Sequence, residues 1–452
     1  MPSDTPVSTP HRVTAVRFAL AAAALATAPL AAQPLAPVGA QAQVNHVIQS
    51  GQNLPDVASD ALGNFVVVWE SFVSAGNDAS ARSIQARRYL ANGTPAGAQF
   101  QVNTQTLGEQ VGAAVSMAPD GRFAIAWTSD EGGGGPVDFD IRARLYAANG
   151  TPAGSDFLVN TFDVGEQRDP DLAWAGDLGF GVVWESDDDT APTFDWNVVA
   201  RFYDGTGVPV TGEMQLNTLG GYQLDPALAG HPSGNFVAAW ESDASAGTDV
   251  TTTSIQAVIV GSGPEVQVND HPPVAGDDNP TVACAQDGTI LVAWESTGSS
   301  GNDNSLASIQ ARLYDAGGNP GPVFQANSWI TDAQRFPSAA FLPDGRFLLG
   351  WHSFGSFGND ASFASIQVRA FAADGTPFGN DLQANTYTNN NQQYAAVTAD
   401  GRGGLVAVWE SYGSPGSDQD SSSIQARRFS LDLIFLGGFE SGDFSGWSQV
   451  QP

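Results

Sequence analysis

One phrase recurs seven times along this chain, and its tryptophan sets the period. The copies are Trp69-Glu70-Ser71, Trp127-Thr128-Ser129, Trp184-Glu185-Ser186, Trp240-Glu241-Ser242, Trp294-Glu295-Ser296, Trp351-His352-Ser353 and Trp409-Glu410-Ser411, spaced 54 to 58 residues apart. Such spacing is the mark of a structural repeat that buries its core only by stacking on its neighbours. Before each Trp lies an aliphatic run such as Phe65-Val66-Val67-Val68, too short for a helix and suited to a strand buried on both faces. We name it strand B. Asp-Gly pairs precede most B strands, as at Asp120-Gly121, Asp287-Gly288, Asp344-Gly345 and Asp400-Gly401, and predict tight hairpins from a small-residue strand A such as Pro226-Ala227-Leu228-Ala229. After B, a loop of about a dozen residues leads to strand C, Ser83-Ile84-Gln85-Ala86-Arg87 and its repeats at Ser308–Arg312 and Ser423–Arg427. Asn92-Gly93 and its equivalents then turn the chain into strand D, the Gln-Val-Asn element typified by Gln101–Asn103.

Four strands per unit and seven units predict an all-β fold, a seven-bladed β-propeller of four-stranded antiparallel blades. The element Gln43-Val44-Asn45 reads as a D strand ahead of the first A strand, whereas the seventh unit stops on strand C at Phe429. The N-terminal strand is therefore expected to complete the last blade and close the ring, which removes the open edges that invite aggregation. The organisation that follows is a signal peptide and short linker over 1–40, the propeller over 41–430, and a C-terminal tail over 431–452.

The N-terminal reading rests on Arg12 and Arg17 ahead of the apolar run Phe18–Ala32, the pattern of a secretory leader, with small residues at Ala32, Ala40 and Ala42 as cleavage points. A secreted or cell-surface location is the expectation. The formal charge is −31, with 17 arginines, no lysine and 48 acidic residues, so nucleic acid is excluded as a partner for want of a basic footprint. Cys284 is the single cysteine, and no intrachain disulfide can form.

The seven tryptophans are read as packing between blades, because a residue at the same strand position in every unit serves the ring rather than one site. The same argument assigns the Glu after the Trp and the Arg of strand C to structure, with a Glu–Arg pair expected to bridge B and C. Strand order places the long B–C and D–A loops on one face, where function is expected. Five B–C loops carry Gly-x-Asp, at Asp78, Asp249, Asp303, Asp360 and Asp418. Two readings stay open for these aspartates: calcium ligands, since hard oxygen donors suit that ion, or turns in which Asp bonds its own backbone.

Units 2 and 3 abandon the shared loop. Asp138, Asp140, Asp187, Asp188, Asp189 and Trp196 gather carboxylates beside aromatic rings there, a candidate ligand site set against the alternative of solvated loops. His352 replaces the usual Glu in unit 6 and is read as structural, as are the scattered His46, His231 and His271. No nucleophile elbow, zinc-binding helix motif or phosphate loop is present.

The unit Asp-Gly-x-Phe-x-x-x-Trp-Glu-Ser, followed by Gly-Asn-Asp, Ile-Gln-Ala-Arg, Asn-Gly-Thr-Pro-x-Gly and Phe-Gln-Val-Asn, resembles repeats in large exported bacterial proteins, including calcium-binding adhesins of the repeats-in-toxin type. The resemblance covers about Gln43 to Phe429 and implies a propeller at the cell surface or outside the cell. The Gly-rich nonapeptide calcium repeats of those proteins are missing here. The tail Ile434–Trp447 is similar to a short terminal segment of exported bacterial proteins, which implies sorting or docking, against a plain packed end. The functional expectation is a non-catalytic module that binds an extracellular protein or glycan, stabilised by calcium if the Gly-x-Asp loops hold it; the alternative is a secreted, carboxylate-dependent hydrolase or lyase acting on glycans.

Overall fold

A computed structural model describes residues 35–431 except 131–138, 163–164, 177–178, 188–194, 250–251, 271–275 and 402. Its described residues form seven four-stranded antiparallel sheets and no α-helix, and the sheets are the blades of a seven-bladed β-propeller. In blade 1 the strands are A (Gln52–Ser59), B (Phe65–Ser71), C (Ser83–Tyr89) and D (Phe100–Gln101), in that order from the axis outward. The other blades repeat this plan. The hairpins between A and B turn on glycines with positive φ, +88° at Gly121 and +90° at Gly288, as the Asp-Gly pairs predict.

The tryptophans are wholly buried, and each fills the interface with the preceding blade. Trp127 of blade 2 packs with Val66, Val68, Ile84 and Ala86 of blade 1, and Trp240 of blade 4 packs with Val183, Val198 and Ala200 of blade 3. Trp69 meets Val406, Val408 and Ile424 of blade 7, so the same contact closes the ring. Burying an indole ring removes on the order of 200 Å² from water, worth roughly 5 kcal/mol as an upper bound. A buried indole N–H also needs an acceptor. The side chain that opens strand A supplies it, 17 residues upstream: Gln52 at 3.0 Å from Trp69, Gln110 at 2.9 Å from Trp127, Gln167 at 2.8 Å from Trp184 and Gln223 at 2.9 Å from Trp240. In blade 5 Asp277 does the same for Trp294 at 2.9 Å, and in blade 7 Gln392 for Trp409 at 3.2 Å. In blade 6 the Trp351 Nε1 is buried without a partner.

The Arg of strand C does not bridge to the Glu after the Trp, which corrects the expected pairing. Its guanidinium reaches across to the D strand of the preceding blade: Arg87 Nη1 donates to the Val44 carbonyl at 2.8 Å, Arg144 to Val102 at 2.7 Å, Arg201 to Val159 at 2.7 Å and Arg312 to Val268 at 2.7 Å. Each also lies over the aromatic ring two residues on, as Arg87 does over Tyr89 at 5.4 Å. The reason is distance along the blade. The Glu sits at the axial end of its sheet, while the Arg clamps the rim.

The closing strand runs Ala36–Gln43 and pairs antiparallel with strand C of blade 7, Ser422–Ser430. Val44 N–H extends the ladder to the Ile424 carbonyl at 2.8 Å. Ala36–Ala40, grouped with the leader and linker in the sequence reading, are thus part of the ring. The apolar run Phe18–Ala32 and the tail from 432 onward lie outside the described residues. A chain begun at Val44, compared with one begun at Leu35, should expose strand C of blade 7 as a bare edge. Calorimetry is expected to show melting lowered by roughly 5 °C or more, with light scattering reporting association of the shortened chain.

Candidate functional site

Every A strand breaks register at its third residue. The residues at the breaks are Leu54, Gly112, Asp169, Asp225, Asn279, Phe336 and Tyr394, all with φ between +46° and +59°. Left-handed backbone is uncommon for Leu, Phe and Tyr, and bulges of this kind re-aim a side chain. Here they line the central channel, in a space of about 320 Å³ enclosed by one bulge residue and its successor from each of the seven blades.

The residue after the Trp holds these bulges from the neighbouring blade. Glu185 Oε1 accepts the Asp225 N–H at 2.7 Å, Glu410 Oε2 the Leu54 N–H at 3.3 Å, Thr128 Oγ1 the Asp169 N–H at 3.0 Å and His352 Nδ1 the Tyr394 N–H at 3.5 Å. Glu241 and Glu295 do the same for Asn279 and Phe336. The repeated Glu is therefore structural, as expected, and yet it also forms a ring around the channel. The sequence reading assigned the copies to structure as a repeated set and missed their convergence on the axis. The signal was the recurrent Gln-x-x-Pro or Gln-x-x-Ala at the start of strand A, as in Gln167-Arg168-Asp169-Pro170.

Carboxylates crowd one side of the ring, over blades 3 to 5. Burial pushes Glu185 up to about 7, helped by the charge of Asp169, and Asp225 up to about 6, helped by Asp169 and Asp278. Burial together with Asp278 and Asp225 pushes Glu241 up to about 8. Glu295 is pushed up to about 7 by burial despite Arg335, 3.4 Å away. Arg168 spans 3.1 Å to Glu185 and 3.5 Å to Glu166, and lies 3.9 Å over the Trp196 ring. Trp196 is buried at the start of strand C of blade 3, where Arg168 links it to Glu185.

On the opposite side the lining turns aromatic. Phe336 packs against His352 and Tyr394, each at a centroid distance of 5.2 Å, and His352 meets Phe354 at 5.7 Å. These residues, with Arg335, Gln393 and the exposed Phe363, line a groove of about 750 Å³ that shares Phe336 and Tyr394 with the channel mouth. Burial, aided by the charge of Arg335, lowers His352 to about 4, so its imidazole is neutral and accepts a backbone N–H.

The Gly-x-Asp aspartates are buried and separate, one in each of five blades. Asp78 Oδ2 accepts the Asn103 amide at 2.7 Å and its Oδ1 the Ser80 hydroxyl at 3.0 Å; Asp303 and Asp360 repeat both contacts. Asp249 binds the Asn269 amide at 3.0 Å and Asp418 the Asn45 amide at 2.7 Å. Each such Asn also accepts a strand C N–H, as Asn103 does from Ile84 at 3.0 Å, which explains the repeated Gln-Val-Asn. In blade 2 Asp140 takes the same part, binding the Asn160 amide at 2.6 Å. Among the described residues no group of three His, Cys, Asp or Glu side chains is placed to hold a metal ion. Asp187 ends strand B of blade 3 half-buried, and Asp138, Asp188 and Asp189 lie outside the described residues.

No protein-family model and no curated protein sequence matches the chain. Solved structures share its fold. A fungal alcohol oxidase in complex with copper is 13% identical, with 88% of this chain and 76% of that one covered at a TM-score of 0.50. An alpha-L-arabinanase from Penicillium chrysogenum complexed with arabinobiose is 14% identical over 88% and 99%, at 0.46, and a polysaccharide lyase 11% identical over 89% and 98%, at 0.47. At these identities the likeness is one of fold.

The buried carboxyls fix a direction of pH dependence. Asp56, Asp171, Glu185, Asp225, Glu241, Glu295 and Glu410 keep their protons to between about 6 and about 8 in the folded ring, whereas the unfolded chain loses them near 4. The native state binds more protons over that span, so stability is full below the unfolded values and declines as pH rises through the folded ones. His352 opposes this between about 4 and 6.5 and His46, also lowered by burial and by Arg87, acts in the same direction, two groups against seven. Scanning calorimetry is expected to give a lower melting temperature at pH 8 than at pH 5, and Glu241→Gln should flatten the slope.

Proposed function

We propose that this chain is an exported propeller that takes a carbohydrate chain on its long-loop face. The observation that carries the reading is the groove of about 750 Å³ beside the channel, floored and walled by Phe336, His352, Phe354, Phe363 and Tyr394 with Arg335 and Gln393 among them. Sugar rings present apolar faces of C–H groups that pack on aromatic rings, while their hydroxyls need a few placed polar partners. A groove that keeps Phe354 and Phe363 exposed in the absence of a partner fits that demand.

A second reading is favoured by Glu241. Burial with Asp278 and Asp225 pushes its carboxyl up to about 8, the direction that general-acid duty in a glycan-active hydrolase calls for. Binding alone and binding with hydrolysis separate cleanly. An oligosaccharide array followed by titration calorimetry is expected to find a glycan ligand whose affinity falls about tenfold or more in Phe354→Ala and Phe363→Ala. No ligand on the array would defeat the carbohydrate reading. A reducing-end assay should register turnover that Glu241→Gln abolishes while binding persists; no turnover by the native chain would leave a binding protein.

A further inference from the structure

The seven equivalent residues of the bulge ring differ in kind. Blades 6, 7 and 1 present Phe336, Tyr394 and Leu54, an apolar arc; blades 3, 4 and 5 present Asp169, Asp225 and Asn279, a polar one. Between Leu54 and Asp169 stands Gly112 of blade 2, which has no side chain. A Cβ built there would meet Asp169 Oδ1 at 3.6 Å and Thr128 Oγ1 at 3.7 Å and nothing closer. The ring therefore has a notch, edged with acceptor oxygens.

A second observation concerns the seam between the same two blades. Glu70 is the blade 1 residue after the Trp, and its counterparts in the other blades accept the bulge N–H of the blade that follows. The blade that follows Glu70 is the one with Gly112. The Glu70 side chain is 2% exposed; its Oε1 takes Arg82 Nη1 at 3.0 Å, and its Oε2 is buried with no partner. Arg82 is shared with Glu109 at 2.5 Å. A buried carboxylate oxygen left unpaired is costly, and the group that relieves it best is a charged donor.

We propose that the channel mouth selects an amino sugar, its pyranose face packed on the arc of Phe336, Tyr394 and Leu54 and its protonated amine seated in the notch at Gly112, donating to Glu70 Oε2 and Asp169 Oδ1. This rests on the carbohydrate reading above and names the substrate class. An ammonium brings three donors and a full positive charge, whereas a hydroxyl brings one donor and an acetylated amine keeps one N–H and no charge. The space of about 320 Å³ is on the scale of a small-ligand site. Calcium fits poorly, since it calls for six to eight oxygens at about 2.3–2.6 Å and the notch offers fewer. The formal charge of −31 further favours approach of a cationic glycan.

The test is titration calorimetry of the full ring with three sugars of equal length at fixed ionic strength: glucosamine, N-acetylglucosamine and glucose oligomers. The glucosamine oligomer is expected to bind about tenfold tighter or more. The preference should collapse in Glu70→Gln and in Gly112→Asn. Asn is chosen because Asn279 occupies the equivalent position in blade 5 at φ +51°, so the backbone accepts it, and an unchanged melting temperature confirms folding. Equal affinity for the three oligomers, or a preference that survives both variants, overturns the inference and leaves the carbohydrate reading standing. Absence of binding by all three overturns the inference as well, while the array decides the carbohydrate reading separately. A lysine-rich peptide that binds tighter than the glucosamine oligomer, or calcium chloride that displaces that oligomer at constant ionic strength, also overturns it.

Discussion

The ring depends on one interaction made seven times: a tryptophan near the end of strand B, buried in the seam with the preceding blade, its indole N–H capped in six blades by the first residue of strand A. The apolar body supplies the burial that holds neighbouring sheets together, and the cap keeps that burial from stranding a donor. Because strand A is also the innermost strand, the cap ties the seam to the channel wall. The outer edge has its own tie, the strand C arginine reaching the carbonyl of the previous D strand. Seam and rim together fix neighbouring blades at two radii, except that blade 4 carries Val258 in place of the rim arginine, and no disulfide is available to help.

This arrangement forces charges inward. The residue after the Trp must lie at the axial end of the sheet, where it braces the next blade's bulge, and five of the seven are glutamates. Bracing is a local task, satisfied pair by pair. Its by-product is collective, since bulge carboxylates join the glutamates over blades 3 to 5 and burial holds several of them protonated near neutrality. Blade 6 escapes by using neutral His352 and surrounding it with aromatic rings. A channel mouth acidic on one side and aromatic on the other thus follows from a structural bracket whose side chains vary around the ring.

The long loops illustrate the opposite economy. Their aspartates read in the sequence as either calcium ligands or turn residues, and each is buried and spends its oxygens on an Asn of strand D and, in three blades, on a nearby Ser. Asp140 shows how far the pattern extends: blade 2 lacks the Gly-x-Asp spelling and still delivers a carboxylate to Asn160. Trp196 was grouped with the carboxylates of its loop and instead packs inward, covered by Arg168.

By itself the sequence determined the blade number, the order of strands within a blade and the closure by the N-terminal strand, because those follow from period, turn chemistry and apolar runs that are local in the chain. It also determined that the tryptophans belong to the seams. Only the tertiary structure decided the channel. Residues 54 to 58 positions apart meet there around an axis that no local pattern encodes, and the bulges that turn their side chains inward depend on a bracket from the neighbouring blade. Gly112, unremarked as a letter, becomes a gap because six neighbours are not glycine. Glu70, read as one of several equivalent glutamates, becomes distinct because its partner across the seam is that gap.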